Sequence, residues 1–274
     1  TLLIVGGGAG GIELCLSVEH KLKSIFGAAA SNNQENSKNR SRYKVILATK
    51  GSTVLAGHNA RVQNIFHRIL KERGIDVRFD AEVVGITTQQ PDCPYQNGDF
   101  SKSRRIQKLA QLAPSDKNPQ TNKQQSIPFD DCLWCTSAGA ASWLRDSTPF
   151  QTDERGFLQT DDYLQCIHHR GIFAAGDCAT MLNHSRPKAG VFAVRAGPPL
   201  LRNIMSYLTN RKMHVYKPQR AFLSLISTGD RYAVASRGSL IAWEGAYLWT
   251  LKDYIDRKWM RMYQDLPNML KDNE

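Results

Sequence analysis

The fold is decided at the start of the chain, by the stretch Leu2-Leu3-Ile4-Val5-Gly6-Gly7-Gly8-Ala9-Gly10-Gly11. The apolar run over residues 2–5 predicts a parallel strand that is buried on both faces. Gly6, Gly8 and Gly11 occupy the positions of a dinucleotide-binding turn: the first permits the tight turn, the second lets backbone approach a pyrophosphate, and the third lets the next helix pack closely. Apolar residues then recur every three or four positions, which predicts that helix. We expect a nucleotide site here; the alternative is a glycine-rich turn that binds nothing.

The second strand of this unit is predicted over residues 43–48 and ends at Thr49, which is followed by Lys50. NAD enzymes usually place Asp or Glu at this position, where it holds the ribose hydroxyls. Two interpretations stay open: Lys50 faces the 2′-phosphate of NADPH, or the site is weakened and Lys50 is a solvated residue. Glu13 either points toward the nicotinamide or is an acid favoured by the helix dipole.

A second glycine signature, Gly171-Ile172-Phe173-Ala174-Ala175-Gly176-Asp177, lies later in the chain. Its apolar residues predict a strand that ends at Gly176 and Asp177. In flavoproteins an aspartate at such a strand end takes the ribityl hydroxyls, and the start of the next helix meets the pyrophosphate or the flavin edge. The alternative is an ordinary strand-to-helix turn with an Asp cap. The helix that follows, over residues 190–208, is expected to bury one side: Val191, Val194, Leu201, Ile204, Met205 and Leu208.

Composition excludes several classes of protein. No run of about 18 apolar residues occurs, so we predict no transmembrane helix, and the apolar start lacks the basic leader of a signal peptide. The six cysteines show neither a disulfide framework nor a metal site. In the pair Cys132 and Cys135, strand alternation points the thiols to opposite faces, so we do not expect a redox dithiol but buried cysteines in a reducing, intracellular compartment.

The net charge of +11 is concentrated between Arg186 and Arg237, where ten Lys or Arg residues accompany one acid, Asp230. These basic residues are scattered among apolar and small residues rather than clustered on an arm or a helix face. Cofactor phosphates, an anionic membrane surface or an acidic partner domain therefore fit as well as nucleic acid does. We predict no nucleic-acid partner.

Two polar stretches, near residues 31–42 and 89–126, lack apolar periodicity and are predicted to be disordered insertions. Residues 222–226 and 232–236 predict a β-hairpin. A final helix over residues 247–262 carries an apolar stripe of Leu248, Leu251, Ile255 and Trp259, with basic residues elsewhere. Packing against the chain's own sheet and docking on a membrane or an adjoining domain both explain this stripe.

The order of these motifs resembles the pyridine nucleotide-disulfide oxidoreductase superfamily. The glycine turn is followed by a strand ending at Thr136, the stretch of residues 153–161, the signature ending at Asp177, and Pro187-Lys188-Ala189-Gly190-Val191. Within the superfamily the chain is similar to the branch near type II NADH dehydrogenases. Residues 187–195, 223–238 and 252–257 most resemble the oxidoreductase domain fused to, or encoded beside, selenophosphate synthetase. Two positions depart from the family pattern: Ser137 replaces a glycine, and Thr49 replaces the acid.

The resemblance implies an α/β fold with two Rossmann-like dinucleotide-binding domains, of which the FAD domain is incomplete. Residues 1–130 would form the NAD(P)H-binding domain, residues 131–208 the C-terminal half of the FAD-binding domain, and residues 209–274 a small C-terminal β-hairpin and helix region. The N-terminal half of the FAD domain would precede Thr1, and the chain enters a buried strand at once without an initial Met. We therefore expect a fragment that does not hold FAD tightly and is inactive alone.

The implied cofactors are FAD and NAD(P)H. We expect the nicotinamide dinucleotide at Gly6, Gly8, Gly11, Glu13 and Thr49, and FAD at Gly176, Asp177, Lys188, Ala189, Gly190 and Val191, with no catalytic side chain and no metal ligand. The implied function is an FAD-dependent NAD(P)H oxidoreductase that passes hydride from nicotinamide to flavin and on to an acceptor such as a quinone, in the cytoplasm or at a membrane surface. The alternative is a non-catalytic nucleotide-binding partner or sensor domain attached to a selenophosphate synthetase.

Overall fold

The computed structural model describes residues 1–31, 43–89, 107–114 and 126–265. In chain order the strands are β1 (Leu2–Val5), β2 (Val45–Ala48), β3 (Asp76–Arg78), β4 (Val83–Gln89), β5 (Gln107–Leu112), β6 (Ser126–Phe129), β7 (Asp131–Trp134), β8 (Leu158–Thr160), β9 (Ala179–Met181), β10 (Ser224–Ser227), β11 (Ala233–Arg237) and β12 (Ile241–Gly245). The helices are α1 (Ala9–Ser31), α2 (Ala60–Glu72), α3 (Ser142–Asp146), α4 (Gly190–Leu208) and α5 (Ala246–Gln264). The chain divides into two compact units: Thr1–Thr136 with Leu223–Glu274, and Ser137–Phe222.

The first unit is built on a parallel sheet in the order β3-β2-β1-β7. Strand β1 is buried on both faces, as its apolar run predicts. Ile4 packs with Ile12 and Phe66 of the helices on one face, and Leu3 packs with Phe129 on the other. This mixed α/β arrangement with a parallel sheet confirms the predicted fold class for the first unit.

A three-stranded antiparallel sheet, in the order β4-β5-β6, covers the second face of the parallel sheet. Its central strand β5 lies inside the stretch 89–126 that the sequence predicted to be disordered, so that prediction is wrong for residues 107–112. Ala110 is fully buried there and pairs with Ile86 and Ile127. These neighbouring strands supply the packing, which the largely polar stretch around Ala110 did not indicate. Residues 90–106 and 115–125 lie outside the described ranges, as do residues 32–42 of the first polar stretch.

The C-terminal strands β10, β11 and β12 form an antiparallel meander that belongs to the first unit. The predicted hairpin is present, and the third strand was not foreseen. Ile226 and Val234 enter the same core as Ile4, and the turn at Gly229 approaches α1 so closely that a Cβ there would lie 2.5 Å from the Ser17 Cα. Arg73, the C-cap residue of α2, also contacts this junction of α1 and the meander.

The Arg73 guanidinium is the centre of this junction. It donates to the carbonyl oxygens of Leu16 at 3.3 Å and Thr228 at 2.8 Å, and it pairs with Asp230 and, at 3.5 Å, with Glu19. The boundaries predicted at residues 130 and 208 therefore differ from the structural ones, because β7 pairs with β1 and the C-terminal meander packs on α1.

The second unit, Ser137–Phe222, contains the short parallel pair β8 and β9 and the helices α3 and α4. Two sequence predictions are wrong here. Residues 171–175 form no strand, although Phe173 makes one bridge to Gln165. Helix α4 buries Ala196, Asn203 and Ser206, whereas the predicted apolar side is mostly exposed: Val194, Leu201, Met205 and Leu208.

The reason for the inverted face of α4 is a hydrogen-bond cluster. The Asn203 amide donates to the carbonyl oxygens of Tyr163 and His214, both at 2.9 Å, and its oxygen accepts from the His214 amide at 2.8 Å. A buried side chain that satisfies three backbone groups outweighs the apolar pattern.

Candidate functional site

The turn between β1 and α1 has the geometry of a dinucleotide site. Gly6 has a φ of +123°, and a Cβ there would lie 2.3 Å from the Cys135 carbonyl oxygen. A Cβ on Gly11 would lie 1.9 Å from the Gly6 carbonyl oxygen, so α1 packs too closely for any side chain. Nothing lies within 4 Å of the Cβ position of Gly8. The backbone is thus open at the one glycine where a pyrophosphate would approach, next to the first amides of α1, which have no intrahelical partner.

Thr49 directly follows β2, beside this turn. Its side chain is buried, and a Cβ on Gly7 would lie 2.6 Å from its hydroxyl oxygen. The next residue, Lys50, is exposed and lies 3.7 Å from the Glu82 carboxylate. The end of the second strand therefore presents a hydroxyl where NAD enzymes usually present an acid, with an exposed ammonium next in the chain.

Glu13 is held by the C-terminal meander. Its Oε1 accepts a hydrogen bond from the Ser227 amide at 2.8 Å and lies 3.7 Å from the Lys252 ammonium. Its carboxylate therefore joins α1 to β10 and α5, a contact that neither sequence interpretation of Glu13 included.

A second cluster forms around the 3₁₀ turn Gly176–Cys178 in the second unit. Gly176 has a φ of +77°, and a Cβ there would lie 3.2 Å from the Ala193 Cβ of α4. Asp177 is exposed, and none of the described residues donates a hydrogen bond to its carboxylate or pairs with it. Its carboxylate is therefore available as an acceptor.

Helix α4 begins beside this turn. The amides of Gly190 and Val191 have no intrahelical partner, as in the first turn of any helix. Ala189 at the N-cap offers them no side-chain hydrogen bond. A pocket joins the turn to this helix start and is lined by Ala174, Asp177, Thr180, Lys188, Ala189 and Phe192, among others. The sequence-predicted residues Gly176, Asp177, Lys188 and Ala189 all line it.

Lys188 is fixed inside this pocket by residues that the sequence did not single out for this role. Its Nζ donates to the Ala179 carbonyl oxygen and, at 3.0 Å, to the Thr180 hydroxyl, and it lies 4.0 Å from the centre of the Phe157 ring. The Thr180 hydroxyl in turn donates to Asp153 at 2.9 Å. Burial lowers the pKa of Lys188, and the nearby carboxylates oppose that shift. Asp153 and Phe157 lie in one family-like stretch and Lys188 in another, and no sequence signal joined them to Thr180.

The two cysteines of the C-x-x-C pair face opposite sides of the parallel sheet. Cys135 packs against the core beneath α1, and Cys132 packs against the core shared with β4–β6. Burial raises the pKa of both thiols. In the part of the chain that the structure describes, no three metal-ligating side chains come together, and no helix combines the length and apolar character needed to cross a bilayer.

The first unit thus has a glycine turn of the dinucleotide-binding type on a parallel sheet, and the second unit has a pocket at the start of a helix. The family model described as pyridine nucleotide-disulphide oxidoreductase matches residues 1–197. The chain belongs to this family. The family and its structural neighbours use FAD and NAD(P)H.

Individual relatives are distant. The chain is 23% identical over 193 residues to the external alternative NAD(P)H-ubiquinone oxidoreductase B4, mitochondrial, of Arabidopsis thaliana, covering 70% of the chain and 28% of that protein. It is 23% identical over 279 residues to ferroptosis suppressor protein 1 of Taeniopygia guttata, covering 97% of the chain and 62% of that protein. The chain thus spans less than two thirds of the length of these relatives.

Two solved structures share the fold. The covalent putidaredoxin reductase–putidaredoxin complex matches with a TM-score of 0.52 at 17% identity, over 87% of this chain and 46% of that chain. Reduced Bacillus anthracis CoADR-RHD matches with a TM-score of 0.52 at 15% identity, over 87% and 34%.

Proposed function

We propose that the protein is an FAD-dependent NAD(P)H oxidoreductase that passes hydride from nicotinamide to flavin and electrons onward to a quinone. The observation that carries this proposal is the open backbone at Gly8, set between two glycines that tolerate no side chain. When bound, the flavin supplies the hydride-accepting chemistry, and the protein supplies binding and orientation.

In the first unit, Gly6, Gly8 and Gly11 and the first amides of α1 hold the pyrophosphate of NAD(P)H. The backbone of this turn presents amide N–H groups to the phosphates, and the helix start favours negative charge. Glu13 supports this site indirectly. Its contacts with Ser227 and Lys252 hold α1 in place and are not directed at the glycine turn.

In the second unit, the Asp177 carboxylate accepts hydrogen bonds from the ribityl hydroxyls of FAD. The amides of Gly190 and Val191 at the uncapped start of α4 bind an anionic or carbonyl edge of the cofactor. The Lys188 side chain lies in the same pocket, held by the Thr180 hydroxyl. The unpartnered carboxylate and the uncapped helix start fit a group that offers both hydroxyls and acceptors.

Thr49 sets the coenzyme preference in this proposal. A carboxylate at this position would repel a 2′-phosphate, and a hydroxyl does not. Lys50 is exposed and its pairing with Glu82 at 3.7 Å is a weak surface contact, so its ammonium is available to the phosphate. NADPH should therefore bind at least as tightly as NADH.

A quinone is proposed as acceptor because one relative's name states that it acts on ubiquinone. Helix α5 supports a location at a membrane surface. Leu251, Tyr254, Ile255 and Met262 are exposed on it, and among the described residues no carboxylate pairs with its Lys258 or Arg261. An exposed apolar face with unpaired cations suits an anionic lipid surface.

Vesicle binding tests that location. We expect the protein to sediment with vesicles of phosphatidylcholine and phosphatidylserine more than with phosphatidylcholine alone. Leu251→Asp should reduce this binding, whereas Leu240→Asp, which changes an even more exposed apolar residue outside α5, should not. Equal loss in both variants would contradict a role for α5.

An association with selenophosphate synthetase stays a prediction that rests on residues 187–195, 223–238 and 252–257. A nucleotide-binding domain without turnover is the corresponding second function.

The central experiment uses the protein expressed from its complete coding sequence and purified with FAD present. We expect a flavin absorption band that bleaches when NADPH is added without oxygen and returns on adding a short-chain ubiquinone. Asp177→Ala should lower flavin content, while Asp162→Ala, an acid of the same unit outside the pocket, should not. Nucleotide binding without bleaching would favour the non-catalytic function, and absence of both would contradict the proposal.

A further inference from the structure

A groove on the surface of the second unit lies beside the pocket that contains Asp177 and Lys188, and the two share Tyr216. The groove runs along the part of α4 that contains two consecutive prolines. Its walls differ in character: Val194, Pro198 and Pro199 form an apolar wall, and Arg195, Tyr216 and Gln219 form a polar one.

The polar wall contains two hydrogen-bond donors without acceptors. Arg195 Nη1 donates to Gln219 Oε1 at 2.8 Å, which fixes the amide and leaves its nitrogen to other partners. Gln219 Nε2 and Tyr216 Oη are both buried, and neither finds a hydrogen-bond partner among the described residues. Buried donors are almost always paired in folded proteins, so two together in one groove point to a partner outside the chain.

The charge around these donors is positive and uncompensated. Arg186 lies behind the wall and donates to the Gln219 carbonyl oxygen at 3.0 Å and the Pro218 carbonyl oxygen at 3.3 Å. Across the described ranges, no carboxylate forms an ion pair with Arg186, Arg195 or Lys217. Burial raises the pKa of the Tyr216 phenol, and the positive charges of Arg195 and Arg186 act on it in the opposite direction.

We propose that this groove binds a small organic anion whose carboxylate accepts hydrogen bonds from Tyr216, Gln219 and Arg195, and whose apolar body lies on Val194 and the two prolines. The apolar wall favours an organic anion over inorganic phosphate. Because the two unpaired donors lie just beneath the groove surface, the exposed Arg195 side chain rotates on binding and exchanges its hydrogen bond to Gln219 Oε1 for one to the ligand carboxylate. The site needs no bound nucleotide, so it is independent of the proposed hydride transfer.

The test uses the whole chain with ¹³C-labelled tyrosine rings and three probes: benzoate, its neutral analogue benzamide, and acetate, which lacks the apolar body. We expect benzoate to bind more tightly than either control and to shift the Tyr216 signal, which the Tyr216→Phe spectrum identifies. Arg195→Gln and Tyr216→Phe should each raise the dissociation constant for benzoate about tenfold, because each removes a hydrogen bond to a charged group. Arg202→Gln, on the same helix but outside the groove, should leave it unchanged.

Several results would overturn the proposal. If benzamide binds as tightly as benzoate, recognition of the negative charge is refuted. If acetate binds as tightly as benzoate, the contribution of the apolar wall is refuted. A benzoate affinity that Tyr216→Phe leaves unchanged would show binding elsewhere, and this variant loses only a hydroxyl, so its fold is preserved. NADPH binding measured on the same samples separates the two proposals: if benzoate fails while NADPH binds, only the groove is refuted.

Discussion

The glycine turn yields a prediction in which stability and binding separate, tested by Gly11→Ala and Gly8→Ala. A Cβ on residue 11 would lie 1.9 Å from the Gly6 carbonyl oxygen, and real Cβ contacts do not fall below 3.0 Å, so the two must separate by about 1 Å. The Gly6 amide is held by the Ala48 carbonyl oxygen at 2.8 Å, which leaves α1 to move. Helix α1 contributes the fully buried Ile12 to the core, so this shift disrupts close packing.

Overpacking of this kind costs about 1–3 kcal/mol, and a clash with fixed backbone lies at the upper end, so Gly11→Ala should lower the free energy of unfolding by about 3 kcal/mol. Gly8→Ala meets nothing within 4 Å and should change it by less than about 0.5 kcal/mol. Its methyl group nevertheless stands where the pyrophosphate approaches, so NADPH affinity should fall about tenfold or more.

Urea unfolding measures the first quantity, and titration of NADPH fluorescence measures the second. Gly10→Ala, which also meets nothing within 4 Å, is the matched control for added volume in the first helical turn. Unchanged NADPH affinity in Gly8→Ala would refute the assignment of this turn as the nucleotide site. A Gly11→Ala protein as stable as the parent would refute the packing argument.

Three further predictions concern the junction of α1, α2 and the C-terminal meander, and the cysteines. Arg73→Met leaves Glu19, whose side chain is 6% exposed, without its buried partner, and should lower the free energy of unfolding in urea by about 3 kcal/mol; a change below about 1 kcal/mol would contradict this role. Burial acts to raise the pKa of Asp230, but the Thr228 hydroxyl and Arg73 outweigh it and lower the pKa. The stabilising effect of the Asp230 carboxylate is therefore present above its unfolded pKa of about 4 and is lost as pH falls through the lower folded value. In urea unfolding, the free-energy difference between the parent and Asp230→Asn should shrink below about pH 4, and a difference that grows there would contradict the lowered pKa. Burial raises the pKa of Cys15 to about 12, so iodoacetamide at about pH 8 should alkylate the exposed Cys178 first, as peptide mass mapping would show; equal labelling of both in the native protein would mean that Cys15 is not buried.

The parts of the fold that were predictable are those whose signals are local. The strand over residues 2–5, the glycine turn and α1 follow one another within a few residues, and each glycine has its own steric reason. Strand β5 was missed because only half of its Gln107-Lys108-Leu109-Ala110-Gln111-Leu112 sequence is apolar and the apolar residues do not alternate regularly, and its burial depends on pairing with β4 and β6.

The buried face of α4 was predicted from apolar periodicity. Periodicity identifies the more apolar side of a helix, but it does not register hydrogen bonds that hold the other side against the protein. Asn203 reverses it, because three hydrogen bonds to the backbone at Tyr163 and His214 require it to be inside. In the candidate site, Asp177 and Lys188 were recognisable from motif order. The Thr180 hydroxyl and the Phe157 ring that hold Lys188 come from separate segments, and no spacing rule joins them in one sequence.

The first unit is discontinuous in sequence, and this has a consequence for how the chain folds during synthesis. Ile4 belongs to the same core as Ile226 and Val234, so the core of the nucleotide-binding sheet stays incomplete until the ribosome has passed the second unit. Closing so long a loop is slow, and the exposed apolar edge left in the meantime invites aggregation. A nascent chain stopped at residue 222 should therefore remain protease-sensitive within β1, β2 and α2, and resistance there should appear only after β11 has emerged.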